Sequence, residues 1–140
     1  MGQLPNPDIT VILDTNVFVA AYWAKSSASA RLLRACIEGQ VRAQYTQAVK
    51  NETVRILEQI GVKRSYMESL EPFWQGAQPV EAVSVDFIRA ADPDDQKFLE
   101  AAAGGQTDFL VTNDVHLLSI GYLGRTEILT PRSLSRIIGL

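Results

Sequence analysis

The 140 residues contain one cysteine, Cys36, and one histidine, His116. A lone thiol cannot close an internal disulfide or build a zinc knuckle. The chain therefore suits a reducing compartment, and we expect a cytoplasmic protein. Long hydrophobic runs are missing too. The apolar stretch from Thr15 to Ala24 is interrupted by Asn16 and falls short of the roughly 18 residues that span a bilayer, so no membrane partner is expected. Met1 to Asp8 has no basic residue of the kind that opens a secretory signal. Nor is there an excess of basic charge: 13 Lys and Arg against 16 Asp and Glu leave a net charge of −3. Taken alone, that argues mildly against nucleic acid as a partner. No internal repeat and no low-complexity segment is present, which excludes solenoids and disordered tails.

The chain does have the composition of one packed domain, 46% apolar and 21% charged. A typical domain takes roughly 100–200 residues, so we expect residues 1–140 to form one unit that buries about two-thirds of its surface.

Ile9 to Leu13 is a short, β-branched apolar run, as a strand covered on both faces requires, and it stops at Asp14-Thr15-Asn16. Ser27 or Ser29 caps a helix from about Ala28 to Glu38, closed by Gly39. Val41 to Tyr45 reads as a second strand. Thr46 caps a helix to Ile60, with Gly61 just beyond. Val62 to Leu70 reads as a helix followed by a turn at Pro72, Gly76 and Pro79, with Val80 to Val85 as a third strand. Asp92 caps and Pro93 opens a helix to Ala103, ended by Gly104-Gly105. Phe109-Leu110-Val111 lies inside a strand from Asp108 to Thr112, and Glu127 to Leu129 is the last strand. Thr130-Pro131 opens a terminal helix. Strands alternating with helices predict an α/β fold, a parallel sheet covered by helices on both faces.

In such a sheet ligands bind outside the carboxyl ends of the strands. Two apolar strands here end in aspartate, at Leu13-Asp14 and at Thr112-Asn113-Asp114. Aspartate ends many strands for ordinary turn reasons, but the repetition points to a shared purpose. Glu52 lies three residues after Val49 and four before Ile56, on the apolar stripe that includes Thr53 and Ile60. A buried carboxylate needs a partner such as Arg55, or a metal. Asp95 precedes Phe98 and Leu99 by the same spacings and so faces inward, unlike Asp94. It also suits a helix N-terminus on purely structural grounds.

Four carboxylates at one sheet edge repel unless a cation sits among them. All-oxygen ligands suit Mg²⁺ or Mn²⁺ rather than zinc, and such ions commonly work on phosphate esters. The other 12 acidic residues face 13 basic ones, so outside this cluster the chain is slightly basic and nucleic acid remains open as a partner.

These residues resemble a known family. Val11-Ile12-Leu13-Asp14-Thr15-Asn16-Val17 is similar to the opening motif of PIN-domain nucleases, and Glu52 with Ile56-Leu57 to their acidic helix. Asp94-Asp95-Gln96-Lys97-Phe98-Leu99 resembles the third motif and Phe109-Leu110-Val111-Thr112-Asn113-Asp114 the fourth, followed by His116-Leu117-Leu118. The order and the intervals, 38 positions from Asp14 to Glu52 and 19 from Asp95 to Asp114, are also familiar. The nearest group is the small prokaryotic VapC-like toxins of toxin–antitoxin modules.

The resemblance implies a three-layer α/β/α sandwich with a central parallel sheet of four to five strands. It also implies a Mg²⁺ or Mn²⁺ site and metal-assisted hydrolysis of RNA. Asp14, Glu52, Asp95 and Asp114 are then the catalytic and metal-binding quartet, and Asn16, Thr15, Thr112 and Asn113 support it. Asp92 and Asp94 compete with Asp95 for the third place. Asn113 stands where the family often has glycine or a variable residue, and no loss of function is expected from it. Arg31, Arg34 and Lys97 are candidate phosphate contacts.

His116 reads as a surface or packing residue and Cys36 as small core filling. Tyr22, Trp23, Phe73 and Trp74 read as core or interface rather than base-stacking residues. The implied partners are RNA, a cognate antitoxin and a second copy, with exposed apolar residues between Val62 and Trp74 as dimer candidates. Two other classes stay open: a phosphohydrolase of the haloacid-dehalogenase type, which normally has a second Asp where Asn16 stands, and a degenerate binding module without catalysis. An RNA-processing PIN nuclease outside any toxin system is a further alternative.

Overall fold

Successive side chains of a strand point to opposite faces, and Thr10–Leu13 uses both of them. Val11 and Leu13 enter one apolar cluster and Ile12 another, all three buried. The computed structural model describes residues 8–86, 88, 90 and 92–140; the reading of the first seven positions as lacking a signal lies outside them.

The chain runs β1 (Thr10–Leu13), α1 (Thr15–Trp23), α2 (Ala28–Ile37), β2 (Arg42–Tyr45), α3 (Gln47–Ile60), α4 (Arg64–Ser69), α5 (Glu71–Gly76) and β3 (Gln78–Pro79). A 3₁₀ turn at Pro93–Asp95 leads into α6 (Gln96–Gly105). Then come β4 (Phe109–Val111), α7 (Val115–Leu118), β5 (Tyr122–Leu123), β6 (Thr126–Leu129) and α8 (Pro131–Ile138).

The sheet order is β3-β2-β1-β4-β6-β5. All neighbours are parallel except β5 against β6, with Leu13 opposite Val111 and Val111 opposite Leu129. The expected α/β/α sandwich is present, but its sheet has six strands rather than four to five. The two extra members, β3 and β5, are two-residue edge strands. Leu13, Val111 and Leu129 face α1, α2, α5 and α8, while Ile12, Leu110 and Ile128 face α6 and α7. One alternation, repeated on three adjacent strands, thus produces the two outer layers.

Caps set most helix limits as the sequence indicates. Ser27, not Ser29, caps α2 by accepting from Ala30 N at 3.1 Å. Thr46 caps α3 through Val49 N at 3.2 Å, and Gly61 ends it in the left-handed conformation at φ 81°.

Four readings need correction. The sequence reading contains no helix between β1 and α2, yet Thr15–Trp23 is α1. Its run of Val, Phe and Ala has no polar face to mark a helical period. The expected turn at Pro72–Gly76 is α5, because proline is tolerated in a first helical turn. Residues 80–85 form no strand. They run over α6, where Val83 N donates to Glu100 O at 3.0 Å. Finally, α6 runs two residues beyond Ala103, so that Gly104 and Gly105 form its last residues and Gln106 at φ 49° is the cap. A Cβ at Gly104 would overlap the carbonyl oxygen of Glu81, so glycine is what lets residues 80–85 lie on the helix.

The aromatic and apolar residues of Val62–Trp74 are also relocated. Leu70, Phe73 and Trp74 are buried, with Phe18 stacked on Trp74 at 5.6 Å, while Trp23 is 70% exposed. They supply core rather than a dimer face. Cys36 packs against the same cluster, and burial pushes its thiol up to about 12.

Gly104→Ala separates these effects by sign. In an unencumbered helix Ala would stabilise by about 1 kcal/mol. Here overpacking of about 1–3 kcal/mol opposes it, so the melting temperature should fall by several degrees in calorimetry. A rise would show that nothing presses on this residue.

Candidate active site

Leaving β1 the chain proceeds to β2, and leaving β4 it proceeds to β5 and β6 on the opposite side. The seam between β1 and β4 is therefore the topological switch point, outside whose carboxyl ends a ligand crevice forms. Asp14 follows β1 directly, and Thr112-Asn113-Asp114 follows β4.

The local bonds hold these groups tightly. Asp14 N donates to Val111 O at 2.9 Å, continuing the ladder past the end of the strand. The Asp14 carboxylate caps α1 by accepting from Thr15 N at 2.7 Å. Its other oxygen accepts from Thr112 Oγ1 at 2.7 Å and Asn16 Nδ2 at 3.0 Å. Thr112 Oγ1 in turn accepts from Asp114 N at 2.9 Å. Asn16 Oδ1 accepts from Asn113 N at 3.1 Å. Asp114 caps α7 by accepting from His116 N at 2.8 Å, and His116 itself is exposed. Thr15 Oγ1 meets Thr53 Oγ1 at 3.0 Å and so ties α1 to α3 beside Glu52.

Three of the four predicted carboxylates interact. Burial raises the Asp14 carboxyl, the nearby Asp114 adds to this, and the bonds from Thr112, Thr15 and Asn16 oppose it. Asp95 is pushed up to about 7, first by burial, then by its hydrogen bond with Asp114 and the charges of Asp14, Asp114 and Asp92. Asp114 is held low, chiefly by that same bond from Asp95. Asp95 and Asp114 thus share one proton near neutral pH. Asp94 is exposed, which leaves the inward place to Asp95.

Glu52 has a different environment. Burial would raise it, but Arg55 Nη2 at 2.6 Å and Lys97 Nζ at 3.2 Å, both on Oε1, hold it low. Its side chain is only 12% exposed. Of its expected stripe, Val49 and Thr53 are buried, Ile56 is half-buried and Ile60 is exposed. Among the described residues, no three carboxylate, thiol or imidazole groups converge closely enough to hold a metal ion as they stand. Lys97, expected at a phosphate, is engaged with Glu52. Arg31 and Arg34 lie exposed on α2 and donate to Ser26 O at 2.7 Å and Lys25 O at 3.2 Å, away from the carboxylates. The sequence places Thr53 only on the apolar stripe of this helix and Arg55 only as a possible partner of Glu52. Its i,i+3 spacing from Glu52 was the available signal.

A family model described as "PIN domain" matches residues 10–116, a span that includes all four carboxylates. None of the curated proteins matches the chain. Among solved structures it is similar to a chain of "Crystal structure of VapBC2 from Rickettsia felis bound to a DNA fragment from their promoter". The identity is 14%, the match covers 87% of this chain and 98% of that chain, and the TM-score is 0.58. That likeness is one of fold, and it agrees with the layers and topology described above.

The shared proton gives a pH signature. Asp95 binds its proton more tightly in the fold than when unfolded. Its contribution is therefore full below its ordinary value and disappears as pH rises through about 7. In EDTA, stability should fall between about pH 5 and pH 8, a window in which carboxylates held low are ionised in both states. Asp95→Asn should flatten that fall in denaturant titrations. An unchanged slope would show that the proton sits elsewhere.

Proposed function

The chain belongs to the PIN-domain family, and from that premise we propose that it is a divalent-metal-dependent ribonuclease and the toxin of a toxin–antitoxin module. The observation that carries the reading is that Asp14, Asp95 and Asp114, from three separate elements, lie near enough to one another at the switch point of the sheet to shift each other's ionisation. Their crowding is tolerated by keeping a proton, and a dication among them would relieve it. The oxygen-only donors fit Mg²⁺ or Mn²⁺, which PIN nucleases generally use. Asp14, Asp95 and Asp114 would hold the ion, with Glu52 as the fourth carboxylate.

When bound, the ion supplies a more acidic water and neutralises charge on the phosphate. The protein's part is to fix the ligands. Thr112 and Asn16 orient Asp14, the backbone N–H of His116 orients Asp114, and Thr15 joins α1 to the helix carrying Glu52. Asp95 must release its proton before it can serve as an ionised ligand. Lys97, two residues on, would have to leave Glu52 to meet a phosphate beside the carboxylates.

The VapBC2 complex supports a cognate antitoxin as a partner for this chain, and a second copy and a cytoplasmic setting complete the proposal. Among the described residues no helix is long and apolar enough to cross a membrane. A second reading, a binding module without catalysis, draws on Glu52. Its carboxylate is already neutralised by Arg55 and Lys97.

The purified protein should cleave RNA with Mg²⁺ or Mn²⁺ and stop in EDTA, and Asp14→Asn should be folded and inert. Cleavage unchanged by Asp14→Asn would point to a contaminant, whereas absence of both cleavage and metal binding would favour the second reading. Thermal melting adds a readout independent of activity. Metal that binds only the fold stabilises by about 2.7 kcal/mol at a hundred times its dissociation constant, a shift on the order of 5–10 °C for this size. Asp114→Asn keeps a capping oxygen and removes a charge, so it should raise the melting temperature in EDTA and shrink the Mn²⁺ gain. A lower melting temperature with a full Mn²⁺ shift would remove Asp114 from the metal site.

A further inference from the structure

Glu52 carries more positive charge than one carboxylate needs. Arg55 Nη2 at 2.6 Å and Lys97 Nζ at 3.2 Å both bond its Oε1. Two cations on one oxygen repel each other, and Arg55 alone would neutralise the group. The two reach it by different routes. Arg55 lies three residues along the same helix, so its hold on Glu52 needs nothing beyond α3. Lys97 belongs to α6, which packs against α3, and its bond to Glu52 spans 45 positions of the chain.

Their surroundings differ as well. The Arg55 side chain is 52% exposed, whereas that of Lys97 is 28% exposed. Lys97 follows Asp95 by two residues, and Asp95 feels the charges of Asp14 and Asp114. The less exposed cation on Glu52 therefore comes from the helix that begins at the aspartates. For Glu52 to join Asp14, Asp95 and Asp114 around a cation, that positive charge has to give way. Lysine suits such a departure. It is a compact charge on a flexible four-carbon stem, while arginine is a rigid planar fork.

We propose that Lys97 is a resident counter-ion of Glu52 that a divalent cation displaces on entering the site, while Arg55 is the positioning residue that keeps hold of Glu52 through the exchange. The proposal rests on the metal-dependent reading above. It accounts for a carboxylate that is already paired and is still wanted as a ligand: the pair with Lys97 is the resting state of the site. The exchange moves an ion pair and no proton, and it frees the ammonium for a phosphate of the strand.

The test uses the full-length protein with ¹³C-labelled lysine. Lys97 is one of four lysines, and its signal is assigned by its absence from Lys97→Met. Mg²⁺ is titrated, with its affinity measured by calorimetry. Saturating Mg²⁺ should shift the Lys97 Cε signal and leave those of Lys25, Lys50 and Lys63 in place. Lys97→Met should bind Mg²⁺ several-fold more tightly, because a repelling charge has gone and nothing has to be displaced. Lys97→Arg keeps the charge and should not tighten binding. Arg55→Met is an equal loss of charge at the same oxygen, yet it should weaken binding, since Glu52 loses its anchor and keeps Lys97 as its partner. Lys63→Met, an exposed charge beyond the end of α3, should leave the affinity unchanged.

Tighter binding in both Lys97→Met and Arg55→Met would reduce the effect to bulk charge and overturn the division of roles. A lower melting temperature for Lys97→Met with unchanged Mg²⁺ affinity would make the pair a plain tie between α3 and α6, and would also overturn it. Mg²⁺ that binds while the Lys97 signal stays in place defeats the proposal and leaves the metal-dependent reading intact. Absence of any Mg²⁺ binding defeats both. Cleavage of RNA is scored separately: a Lys97 signal that moves with Mg²⁺ in a protein that cleaves nothing supports the exchange and counts against the ribonuclease.

Discussion

The arrangement of the site depends on one hydroxyl. Thr112 Oγ1 donates to the Asp14 carboxylate and accepts the Asp114 amide, at 2.7 and 2.9 Å. It thereby sets the end of β1 against the turn that follows β4. The bond is buried, so water does not compete for it, and the loss of either partner would strand a polar group in the core. No such hydroxyl touches the Glu52 carboxylate. Its helix is tied to α1 by Thr15 and Thr53, and the carboxylate itself is held by two cations.

That contrast explains how much of the molecule could be read from residues alone. Where a side chain punctuates the backbone, local chemistry was sufficient. Thr46 and Gly61 frame α3, Asp92 and Pro93 open the turn before α6, and the apolar cores of β1, β4 and β6 declare themselves. Where tertiary packing sets the conformation, local chemistry misled. Helix α1 is apolar along most of its length because it is pressed between the sheet and its neighbours, so it has no period to read. Residues 80–85 have the composition of a strand, but they rest on α6 instead, at the one place where Gly104 leaves room. The aspartates were legible for a related reason. Strand ends are fixed by the backbone, so Asp14 and Asp114 inherit their positions from β1 and β4. The ion pair of Lys97 with Glu52 spans 45 positions and no local rule announces it.

The energetics of Asp95 show which of two opposing effects prevails. It stands at the start of α6, with Asp92 and Asp94 nearby, where a helix end favours negative charge by roughly 0.3–1 kcal/mol. A neighbouring carboxylate at about 4 Å opposes it by up to roughly 4 kcal/mol at an effective dielectric of about 20. Asp95 faces Asp14 and Asp114 as well as Asp92, and it is partly buried. Repulsion and burial win, so the carboxyl keeps its proton although the helix end alone would ionise it. The strain is confined to side chains at the ends of elements, while two apolar clusters carry the fold beneath them. A protein arranged in this way can alter the charge state of these side chains without disturbing its core.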